Sequence, residues 1–197
     1  MERAESFRSQ VDSAAEILGR LYSFDDDSNS NNAEAKQHHQ LDQFLHCAET
    51  ARAFFVAWLS ADWPLDNEAA MRVFEVLRNK DANMAEILAE ILVKNLTMSS
   101  AMVIRHRQDG KEDLAKGSLD VRERTRLVIE HLSEDRNSAL GNCLKNKSTE
   151  LLAAIESARL ADEKAMPFKD FLTRWNYDGN QLDAMETSLN SLFKTSC

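Results

Sequence analysis

The sequence predicts an all-α protein, an irregular antiparallel bundle of about six to eight helices, and three observations carry that prediction. Five glycines and two prolines in 197 residues are too few for the corners of a sheet protein. Apolar residues recur at steps of three and four over most of the chain, the period of a helix face. A hydrophobic fraction of 43% beside 29% charged residues is that of a chain able to bury a core. The expected organisation is a single helical domain over 1–197. A short HEAT-like or armadillo-like α-solenoid is the alternative architecture, disfavoured by unequal helix lengths and the lack of an internal repeat.

The first helix is expected over about 3–22, where Phe7, Val11, Ala14, Leu18 and Leu21 form one stripe. The run Asp25-Asp26-Asp27-Ser28-Asn29-Ser30-Asn31-Asn32 has nothing to bury, so 25–37 reads as a flexible acidic and polar loop. A second helix, from about Glu34 to Ser60, carries Leu41, Phe44, Leu45, Phe55 and Trp58 inward and stops before Pro64. Asp66 is the expected cap of a shorter helix over 67–78. The fourth, over 82–108, has the strongest apolar pattern and closes at Asp109-Gly110. A polar connector then runs to Gly117, and Asp120 with Glu123 has the spacing of a capping box. The spacing leaves open whether 120–165 is one helix or two, with Ser133–Ser138 as the polar interval. After Pro167, residues 167–197 are expected to form a small helical hairpin packed on the bundle, turning at Asp178-Gly179.

Charge narrows the function classes. The net charge is −9, and residues 1–66 carry 5 basic against 12 acidic side chains. Such a chain repels phosphate backbones and anionic lipid surfaces, so nucleic acid is an unlikely partner. Three cysteines without metal-type spacing fit a reducing, cytoplasmic setting. No run approaches about 18 uninterrupted apolar residues, so no membrane span is expected, and the N-terminus has no secretory core.

Four groups of residues invite a chemical reading. His38, Asp42 and His46 stand at i, i+4 and i+8 with Glu49 three residues on, so neighbours share one helical face and are candidate metal ligands. One helix spreads them over about 12 Å, so a second helix would have to complete the site; a solvated stripe is the plainer account. His39 and Cys47 are two turns apart and make a poor thiol–imidazole couple. Arg105, Arg107, Arg122, Arg124 and Arg126, with Lys111 and Lys116, form a basic concentration that five carboxylates dilute, and pairs such as Arg126 with Glu130 would consume part of it. Trp63, just before Pro64, is either a lid on the core or an exposed anchor for a partner. Asn176-Tyr177-Asp178-Gly179 fails as a calcium loop, because Arg174 and Met185 fall at positions that need acids.

Phosphate-cradling glycine loops and nucleophile elbows are absent, which points away from an enzyme, and no cofactor is implied. The expected function is a non-catalytic protein–protein interaction module: a scaffold, adaptor, regulatory subunit or assembly chaperone, with a protein partner or self-association. A bundle binding a metal or cofactor through His38, Asp42, His46 and Glu49 is the alternative. A weak phosphate or nucleic-acid binder using Arg105 through Arg126 comes third.

Overall fold

The computed structural model describes residues 2–23, 31–135, 137–160 and 166–193, with side chains from Ser6 in the first stretch and from Ala35 in the second. The protein is all-α: the described residues form nine helices and no strand. Their lengths run from 7 to 27 residues and do not repeat. Contacts divide the chain into two compact units, Met1–Ile91 and Leu92–Cys197.

The first unit contains α1 (Glu2–Tyr22), α2 (Asn31–Phe44), α3 (Ala48–Leu59), α4 (Glu68–Arg78) and the start of α5 (Ala82–Gln108). α1 packs chiefly on α3 and buries Ala14, Leu18 and Leu21, the stripe its spacing predicts. An aromatic core holds the unit. Trp58 is fully buried, with ring centroids 5.5 Å from both Phe54 and Phe74. Its indole Nε1–H donates to the Tyr22 hydroxyl (3.0 Å), which itself donates to the Pro64 carbonyl (2.8 Å). The end of α1 is thereby fastened to the chain leaving α3.

Three expectations need correction in this unit. The loop assigned to 25–37 is helix from Asn31, because Ala33-Glu34-Ala35-Lys36-Gln37 are good helix formers; residues 24–30 lie outside the described residues. The long second helix is two helices. The Nδ1–H of His46 donates to the Gln43 carbonyl (2.8 Å), and Cys47 takes an extended backbone (φ −147°, ψ 165°) as N-cap of α3. α4 is capped by Asn67 rather than Asp66, its side chain accepting from the Ala70 N–H at 3.0 Å.

The second unit holds the remainder of α5, α6 (Glu112–Ser133), α7 (Ala139–Arg159), α8 (Lys169–Trp175) and α9 (Gly179–Ser191). α5 ends as expected. Gly110 is left-handed (φ 69°), and N–H bonds from Gly110 to Arg107 O and from Lys111 to His106 O close a Schellman turn. α6 begins at Glu112, so the expected connector to Gly117 is helix. Glu112 and Asp113 complement its positive end, and Ala115 is buried. Residues 120–165 therefore hold two helices, divided at 134–138, with Ser138 capping α7 through the Gly141 N–H. Gly141 marks a close approach: a Cβ there would lie 2.9 Å from the Leu132 carbonyl oxygen. The capping box sits at Asp178 and Gln181, at the start of α9, and not at Asp120 and Glu123. α8 and α9 both pack on α7, and α9 also bonds to α5 through buried Ser188 and Ser100 (Oγ–Oγ 2.6 Å).

α5 is the one described helix long and apolar enough to cross a membrane by length and composition. In the protein, 61% of that apolar window is buried, as in a core helix.

Candidate functional site

The residues singled out as metal ligands are not brought together. Asp42 accepts an ion pair from Lys80, whose Nζ lies 2.5 Å from Oδ1 and 2.7 Å from the Asp42 carbonyl oxygen. His46 is turned back to Gln43, and Glu49 stands exposed in the first turn of α3, past the break. His38 is half-buried on α2. Among the described residues no group of three or more His, Cys, Asp or Glu side chains could hold a metal ion.

The arginines are occupied by local carboxylates. Arg105 pairs with Asp109 (3.4 Å) and Arg107 with Glu112 (3.4 Å). Arg122 and Arg126 both hold Glu123, at 2.7 and 3.0 Å, and Arg126 also reaches Glu130 at 2.6 Å, the pair its spacing predicts. Desolvation opposes the charge on Glu123, yet the hydrogen bonds from Arg122 and Arg126 outweigh it and hold its carboxyl below the usual value. Arg124 lies half-buried on the same helix. Trp63 is also committed, half-buried with its ring 4.9 Å from that of Tyr22. The exposed tryptophan is Trp175, 54% accessible at the end of α8.

Among the described residues a further candidate lies in the second unit, where sequence patterning gave no signal. A cleft of about 440 Å³ opens where the chain enters α8. Lys94 of α5 lines one side; Met166, Pro167, Phe168 and Phe171 supply apolar walls, and Lys169 and Asp170 complete the rim. Its volume falls in the range of ordinary ligand pockets. The Lys94 ammonium lies 5.5 Å from the centroids of both Phe168 and Phe171. Each such contact is worth about 0.5–1 kcal/mol where water has access.

The backbone builds this arrangement at a cost. Phe168 is left-handed (φ 66°, ψ 0°) at the N-cap of α8, a conformation that costs an L-residue about 1–2 kcal/mol. The Lys169 N–H bonds to the Met166 carbonyl and the Leu172 N–H to that of Phe168, locking the turn. With the turn so set, Phe168 and Phe171 stand edge to face, centroids 6.5 Å apart. Tyr177 backs Phe171 at 5.9 Å, and burial pushes its phenol up to about 12. Among the described residues the lining holds no nucleophile–base pair; it includes two lysines, one aspartate and apolar walls.

A family model described as "Uncharacterised conserved protein UCP020893" matches residues 14–192. The chain belongs to that family. No curated protein and no solved structure matches it. The family's span runs from the middle of α1 through α9, so both the Tyr22–Trp58 fastening and the cleft fall inside it.

Proposed function

We propose that the protein acts by binding rather than by catalysis, as a helical interaction module whose docking site is the cleft between Lys94 and the start of α8. One observation carries the reading: a left-handed Phe168 places two aromatic rings around a lysine at the mouth of a cavity. Strain of this kind persists where the surroundings over-determine it, and sites that recognise a ligand are a common place for it. Aromatic walls with a few placed charges suit recognition, and the described lining residues include no acid–base or nucleophilic pairing. A reducing, cytoplasmic setting belongs to the same reading, supported by the Cys47 thiol, which hydrogen-bonds to Thr50 and forms no disulfide.

The test is comparative capture from a lysate of the source cells, using the immobilised full chain. A protein retained by the wild type and lost from both Phe171→Ala and Lys94→Met, at unchanged circular dichroism, is the expected result. Equal retention by all three chains would remove the cleft from the function.

A further inference from the structure

We draw no further inference here: the strongest candidate, the half-buried Cys47 thiol at the start of α3, is a lone cysteine hydrogen-bonded to Thr50 of its own helix, and nothing among the described residues points to a ligand or partner for it.

Discussion

The left-handed turn at Phe168 makes a prediction whose sign is opposite to the usual one. Phe168→Gly and Phe168→Ala remove the same ring, so each loses its contact with Lys94, about 0.5–1 kcal/mol, and its apolar packing with Phe171. They differ in the backbone alone. At φ 66° an alanine keeps the left-handed penalty of about 1–2 kcal/mol, whereas a glycine is relieved of it. Glycine gives back about 0.5–1 kcal/mol because its unfolded chain is more flexible. The balance leaves the Gly variant more stable than the Ala variant by up to about 1.5 kcal/mol, although Gly for Ala within or beside a helix ordinarily destabilises.

Urea unfolding of the two variants, followed by far-ultraviolet circular dichroism and compared at equal m, measures that difference directly. An Ala variant more stable than the Gly variant by about 0.5–1 kcal/mol, the ordinary cost of glycine, would show that Phe168 carries no left-handed strain. The account of how the cleft is built would then fall with it.

Four further outcomes follow from other parts of the chain. Tyr22→Phe keeps the ring against Trp63 but withdraws the acceptor of the Trp58 indole and the donor to Pro64, so unfolding should be easier by about 1.5–3 kcal/mol; a loss below about 0.5 would contradict the hydrogen-bonded fastening. Gly141→Ala forces a methyl to within 2.9 Å of the Leu132 carbonyl oxygen and should cost about 1–3 kcal/mol, visible as a lowered Tm; an unchanged Tm would mean that α6 and α7 separate freely there. The Cys47 thiol is held below its ordinary 9.0 by hydrogen bonding from the Thr50 side chain and backbone, so its alkylation by iodoacetamide should turn on at lower pH than that of an ordinary thiol, and Thr50→Val should move the inflection upward. Tyr177 is raised, so its contribution to stability is complete below the ordinary phenol value of 10.0 and is lost as pH rises towards about 12; an ultraviolet titration should show one tyrosine ionising late, and Tyr177→Phe should flatten the alkaline loss of stability.

What was legible in the chain is what local periodicity and local hydrogen bonding decide. Ala14, Leu18 and Leu21 are buried where their stripe places them, and α5 begins and ends at the expected residues. Gly110 closes α5 because left-handed geometry and glycine coincide there. The failures are also physical. Asp120 with Glu123 and Asp178 with Gln181 have the same spacing, but the first set lies inside a helix already nucleated at Glu112, and Glu123 is taken by Arg122 and Arg126. No glycine or proline marks the break at Cys47; the His46 side chain supplies it by capping the Gln43 carbonyl. The metal reading of Asp42 fails on a partner 38 residues away, Lys80, whose side chain is only 9% exposed. No pattern along one helix could have announced that pair.

The cleft was silent in the sequence because its turn rests on a backbone conformation that the residue type opposes. Two non-glycine residues are left-handed among those described, Asn176 and Phe168. Asparagine enters that region readily, so Asn176 ending α8 needs nothing beyond its residue type and a helix that has to stop. Phenylalanine has no such tolerance, and a glycine at 168 would make the turn at less cost. A residue type that opposes its own backbone requires a compensation in what the side chain does. Here that compensation is a ring placed on Lys94 at the mouth of a cavity. Within the fold the Lys94 contact offsets only part of the cost, about 0.5–1 kcal/mol against 1–2. The edge-to-face packing of Phe168 on Phe171, worth about 0.5–1.5 kcal/mol, offsets the remainder.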